Sequence, residues 1–168
     1  LHDALPICTA CTMGMSMGKN TGCSLADKDD KQKIMDVMLE QDAVIFSAPT
    51  YDLMPSSLFL KFMHRNLAYE SAFLTKIGAI APRDRVGALI AVGGSTRSWQ
   101  SMALECMQAT TFTNSFKIVD TYMATQVPAP AQVLLYEEKV ARAREMGLNV
   151  MKALNTPPAR SEEHTSEL

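Results

Sequence analysis

Two short polar stretches and one cysteine group are the parts of this chain where residue type and spacing could do chemistry. The first stretch is Pro49-Thr50-Tyr51, followed by Asp52 and Met54; the second is Gly93-Gly94-Ser95, with Trp99 one turn later. A flat heterocycle needs close backbone approach along its edge, hydrogen bonds to its carbonyl and ring nitrogen atoms, and an apolar or aromatic face. Gly, Ser/Thr and Tyr supply these. Taken alone, Pro-Thr-Tyr also reads as an ordinary turn and Gly-Gly as the end of a strand. Trp99 could stack on a ring or pack half-buried, and Asp52 and Met54 could line the mouth of such a site. Arg97 and Lys61 could meet phosphate, although single cations near loops usually face solvent.

The cysteine group is Cys8-Thr9-Ala10-Cys11 with Cys23. A cubane iron-sulfur cluster takes four thiolates, and Gly14 stands where a third closely spaced cysteine would fall. Zinc would also want a fourth ligand. Cys8, Cys11 and Cys23 are therefore an incomplete metal-ligand set, and reduced thiols are the default reading. Cys106 falls on a helix face and reads as core. His64 is one of three histidines, and the other two, His2 and His164, lie close to the ends. Histidine-based metal sites and Ser/His/Asp triads are poorly supported.

The elements that must position these residues follow from hydrophobic periodicity. Asp27 to Gln41 reads as a helix, with acids ahead of an apolar face at Ile34, Met35, Met38 and Leu39. Asp42 to Ala48 is a short buried strand, and Pro49 to Ser57 is a loop. Leu58 to about Tyr69 is a helix with Phe59, Phe62, Met63 and Leu67 on one side. Arg85 to Gly94 is the next strand. Ser95 to about Thr110 is a helix facing inward through Trp99, Met102, Ala103 and Cys106. Phe116 to Ala124 is the third strand, Gln126 to Gln132 a loop, and Glu137 to Leu154 a helix with Val140, Ala143, Met146, Val150 and Met151 on its apolar face. This alternation predicts an α/β fold with a parallel sheet and right-handed crossovers. In such sheets ligands sit beyond the carboxyl ends of the strands, where both polar stretches emerge.

Composition narrows the function classes. The 168 residues suit one domain, and an apolar fraction of 47% suffices for a packed core. The ends stand apart: 160–168, RSEEHTSEL, and 1–7, LHDALPI, resemble in-frame translations of sequencing-library adapters, leaving 8–159 as the domain. Setting them aside removes Arg160 and four acids (Asp3, Glu162, Glu163, Glu167), so the formal charge moves from −2 to +1. No strong field remains to attract nucleic acid or a membrane surface. No apolar run approaches the roughly 20 residues that span a bilayer, and four cysteines without a regular framework fit a reducing compartment. The expected location is cytoplasmic.

The run Asp42 to Lys61, DAVIFSAPTYDLMPSSLFLK, resembles the flavodoxin-fold NAD(P)H-dependent FMN reductases and the related iron-sulfur flavoproteins. Their pattern is an apolar strand, Ser/Thr-Pro-x-Tyr, a polar loop, and a helix carrying Lys and Asp-Arg; here it is matched by Ser47-Ala48-Pro49-Thr50-Tyr51, Lys61 and His64-Arg65, with His64 departing from it. The resemblance covers nearly all of Cys8 to Leu154. It implies a three-layer flavodoxin-like sandwich whose strands here are the third, fourth and fifth of the order 2-1-3-4-5, the first two being missing. It also implies that Pro49, Thr50, Tyr51, Asp52, Met54, Gly93, Gly94, Ser95 and Trp99 hold FMN, with NAD(P)H as co-substrate and an unidentified small-molecule or protein acceptor. An iron-sulfur cluster is not expected, and neither is the phosphate-binding loop. The alternatives are an electron-transfer flavoprotein and a non-redox binding domain of the same fold. Homo-oligomers are common in the family, and Leu58 to Tyr69 could pack on a partner as well as in the core.

Overall fold

The computed structural model describes residues 8, 9, 11, 13, 14, 17, 22–66, 68, 69, 85–112 and 116–156. Its strands are β1 (Ala43–Tyr51), β2 (Met54–Pro55), β3 (Arg85–Val92) and β4 (Phe116–Ala124), and its α-helices α1 (Lys31–Glu40), α2 (Ser57–Asn66), α3 (Ser101–Phe112) and α4 (Glu137–Leu154). The sheet order is β2-β1-β3-β4. β1 and β3 run parallel from Ala43 opposite Val86 to Pro49 opposite Val92, and β3 and β4 are parallel as well. The α/β, mostly parallel architecture expected from the alternation of elements is the one observed.

Helices cover both faces of this sheet. Met35 and Met38 of α1, Phe59 and Met63 of α2, and Ala103 and Met107 of α3 close over Phe46, Ala48, Leu89, Ala91 and Phe116. Phe46 anchors that layer, meeting Phe59 and Phe116 edge to face with centroids 6.3 and 5.2 Å apart. On the opposite face Met146 and Val150 of α4 pack on Ala88. Asp120 of β4 ties that layer down: Arg142 and Asn149 of α4 both donate to its carboxylate, Asn149 at 2.8 Å. The β3–β4 register shifts between Gly87 and Ala88, leaving Val119 as a bulge. A side chain at Gly87 would come 2.6 Å from Ile118 Cδ1, so the Ile118 side chain would have to shift to admit one.

Several helix faces differ from their expected sides. Along α3 and the 3-10 turn before it, Arg97–Gln100, the inward positions are Gln100, Ala103, Met107 and Thr111, whereas Trp99 and Met102 are exposed and Cys106 is half-buried. Two polar residues take the buried stripe because local backbone acceptors meet their donors: Gln100 Nε2 donates to Ser95 O, and Thr111 to Met107 O and Gln108 O. On α1, Met35 and Met38 are buried, Ile34 is exposed, and Lys31 is fully buried. On α4, Met146 and Val150 are buried, while Ala143 and Met151 face solvent. Leu67 lies outside the described residues, as does everything from 70 to 84.

Lys31 is an unusual core residue. Its Nζ donates to Phe62 O at 2.9 Å and to Asn66 Oδ1, and it lies 3.1 Å from the Phe62 ring centroid. Burial, with the nearby Arg65 guanidinium second, brings its pKa down to about 7. Two acceptors match the two N–H bonds of a neutral amine. Between about 7 and the ordinary lysine value the unfolded chain holds one more proton than the folded one. The Lys31 contribution to stability should therefore rise with pH across that window, by up to about 1.4 kcal/mol per pH unit. Unfolding midpoints in urea from pH 7 to 10, compared with those of Lys31→Met, test this. Parallel curves for the two proteins would remove the effect.

Candidate functional site

The carboxyl ends of β1 and β3 lie side by side, since Pro49 pairs with Val92. β1 runs two residues beyond Pro49 and turns back at once, Thr50 pairing with Pro55 and Tyr51 with Met54. Pro49-Thr50-Tyr51 is therefore the end of a strand and the first arm of a hairpin, not the loop expected. The two turn residues, Asp52 and Leu53, have φ of 49° and 70°. This left-handed pair matches the twist of a two-residue hairpin, at a steric cost for Leu53. Pro49 lies in β1 beside the hairpin, where its carbonyl accepts from Ser56 N–H at 3.0 Å. Ser56 Oγ in turn accepts from Phe59 N–H and starts α2.

The second wall is the loop after β3. Gly93 N–H donates to Ala124 O, Val127 N–H to Gly93 O and Gln126 N–H to Ser95 O, each at 3.0 Å, so the loop after β4 clamps it. A short 3-10 turn, Arg97–Gln100, then leads into α3. Gln100, 1% exposed, folds back so that its Nε2 donates to Ser95 O at 2.7 Å. A side chain at Gly93 would lie 2.6 Å from Gln100 Oε1, and one at Gly94 3.0 Å from Pro128 Cα. A side chain at either position would press on its neighbour, at Gly93 on the Gln100 amide and at Gly94 on the Pro128 backbone.

Between these walls lies a crevice of about 170 Å³ lined by Thr50, Asp52, Leu53, Gly93, Gly94, Ser95, Trp99 and Gln100. Six of the nine expected binding residues line it. The others stand outside: Pro49 is in the strand, Tyr51 is 66% exposed and Met54 is half-buried in β2. Sequence reasoning missed Leu53 and Gln100. Leu53 could have been found by reading Asp52-Leu53 as a two-residue hairpin. Gln100 carried no signal beyond its place next to Trp99.

Two buried polar atoms in the crevice, Thr50 Oγ1 and Gln100 Oε1, have no hydrogen-bond partner among the described residues. Buried polar groups are otherwise almost always paired. Both atoms are covered by protein, so neither is open to the crevice as it stands.

Cys8, Cys11 and Cys23 do not assemble. Among the described residues no group of three His, Cys, Asp or Glu is gathered so as to hold a metal. Cys23 Sγ instead accepts from Arg65 Nη2 at 3.7 Å. His64 is exposed on α2, and Arg97 is exposed in the 3-10 turn. No helix among the described residues is long and apolar enough to cross a membrane.

No protein-family model matches the chain, and no curated protein sequence does. Among solved structures it is similar to a flavone reductase, at 25% identity and a TM-score of 0.59 over 75% of this chain and 46% of that one. It also resembles a putative quinone reductase from Klebsiella pneumoniae, at 12% identity and a TM-score of 0.50 over 90% of this chain and 62% of that one. The fold is flavodoxin-like α/β. This chain spans about half the length of the flavone reductase it matches.

Proposed function

We propose that this chain is part of an FMN-dependent NAD(P)H oxidoreductase passing electrons from nicotinamide to an acceptor. The observation that carries the reading is a crevice at the carboxyl ends of two adjacent parallel strands, lined by Thr50 and by the loop Gly93-Gly94-Ser95. Likeness to a flavone reductase supports reductase chemistry, and the resemblance of Ser47 to Lys61 to the FMN reductases supplies the cofactor class.

When bound, the flavin supplies the hydride and electron transfer. The residues here position it. Thr50 and Ser95 would line the ring edge, the side-chain-free backbone of Gly93-Gly94 would permit close approach, and exposed Trp99 would flank the opening. No protein acid or base is needed for that role. By the same resemblance, the family's first strand runs along Ala43 to Phe46, and its phosphate-binding loop follows that strand.

An absorbance spectrum of the full-length protein, purified without added cofactor, tests the reading. Flavin bands that bleach on adding NAD(P)H are expected. A colourless protein that also fails to take up FMN would overturn it. Within the site, Thr50→Val should weaken flavin binding on the order of tenfold, because the pocket loses a hydrogen-bonding group. Gly94→Val should weaken it further, because its side chain meets Pro128 backbone. Fluorescence titration reads both, and unchanged affinity in both would move the site elsewhere.

A further inference from the structure

We propose that Cys23 is a site of oxidation by hydroperoxides, held as the sulfenic acid because the added oxygen meets donors that Arg65 and Tyr69 already present around the sulfur. The site lies at the end of α2, away from the crevice, and does not depend on the flavin reading.

The buried Arg65 guanidinium divides its donors unevenly. Nη1 is taken by the Asp29 carboxylate, and Nη2 donates to Leu25 O at 3.2 Å and to Cys23 Sγ at 3.7 Å. Nε, beside Nη2 on the same edge of the planar fork, is buried and has no partner among the described residues. Tyr69 Oη is buried and unpaired as well. It lies close enough to the same sulfur that, after burial, Cys23 is the next cause pushing this hydroxyl up to about 12. Two donors around one sulfur thus lack an acceptor, a costly arrangement in a protein interior. Sulfur accepts weakly and occupies one leg of the fork. An oxygen bound to it accepts strongly and makes a two-atom acceptor, the kind that the guanidinium edge fits. Cys23 is only half-buried, so a small oxidant reaches it. In the step, the sulfur attacks one oxygen of the hydroperoxide: an S–O bond forms, the O–O bond breaks, sulfur gives up two electrons, and water leaves when the oxidant is hydrogen peroxide.

The test treats the full chain with equimolar hydrogen peroxide in the presence of dimedone, which traps sulfenic acids, and reads the label at each cysteine by peptide mass spectrometry. Most of the label is expected at Cys23, with Cys8, Cys11 and Cys106 as references in the same molecule. In urea the four should label alike, since the donors are then dispersed. Tyr69→Phe removes only an unpaired hydroxyl, so the unfolding midpoint should not fall, while the label at Cys23 should drop on the order of tenfold. Should that variant fail to fold, the comparison of folded and urea-treated unmodified chain still decides. Label spread evenly over the cysteines of the folded chain, or a preference for Cys23 that persists in urea, overturns the proposal. So does a Cys23 label that Tyr69→Phe leaves unmoved, and so does a disulfide from Cys23 to Cys8 or Cys11 in place of the sulfenic acid.

Discussion

Arg65→Met should lower the stability of the folded chain by about 3–5 kcal/mol at neutral pH, the cost of leaving a buried charge without its partner. The Arg65 side chain is fully buried and Asp29 is 5% exposed. Nη1 donates to Asp29, while Nη2 donates to Leu25 O at 3.2 Å and to Cys23 Sγ. One guanidinium thus fastens the segment before α1 to the end of α2. Burial pushes the Asp29 carboxyl up, but hydrogen bonds from Arg65 and from Lys31 N–H, with the charges of both residues, outweigh it and hold the group below its ordinary value. A depressed carboxyl contributes stability that is present above its unfolded pKa and is lost as pH falls through its folded one. The cost of Arg65→Met should therefore shrink below about pH 4. Urea denaturation at pH 7 and pH 3 reads the difference. Adding Asp29→Asn to Arg65→Met should recover part of the loss, since no buried charge then remains unpaired. A loss under about 1 kcal/mol at pH 7 would show that the pair holds nothing together.

The second large effect is expected at the outer edge of β1. β2 pairs with β1 only at Thr50 and Tyr51, so among the described residues no strand lies beside Ala43 to Ala48 on that side. An apolar groove of about 650 Å³ runs there, walled by Ile34, Val37 and Met38 of α1, Phe62 of α2 and the β1 edge from Ala43 to Phe46. Ile45 is 48% exposed and Val37 63%. A parallel strand with apolar residues on both faces is suited to a sheet interior, and an open edge of this kind templates pairing with other chains. The chain as written should associate at micromolar concentrations into mixed oligomers in sedimentation velocity. Ile45→Lys places a charge on that edge and should shift the distribution toward monomer. A monodisperse monomer with cooperative melting from the unmodified chain would overturn this expectation.

Much of the architecture was legible because it rests on periodicity. Val44 to Ala48 and Val86 to Val92 are apolar runs, and Phe116 to Ala124 is rich in β-branched and aromatic residues; each is bounded by breakers and is of strand length. The alternation with helices then leaves little beyond a parallel sheet, which brings the ends of β1 and β3 together. The residues at those ends, Thr50, Gly93, Gly94 and Ser95, could be singled out in advance for that reason.

What sequence did not reveal is set by contacts between distant segments. The inward face of α3 and the 3-10 turn before it includes Gln100 and Thr111 because backbone carbonyls of their own segment accept from their donors; apolar counting favours Trp99 and Met102 instead. Lys31 and Arg65 read as surface charges by residue type, yet both are buried because Phe62 O, Asn66, Asp29 and Leu25 O are brought to them from other elements. Cys23 belongs to that same cluster by position alone. The residue types of this chain thus determine where its strands, helices and ligand-facing ends fall. Which polar groups are buried, and which of those in the crevice are left without a partner, is decided only in three dimensions, because hydrogen-bond satisfaction depends on atoms that are far apart along the chain.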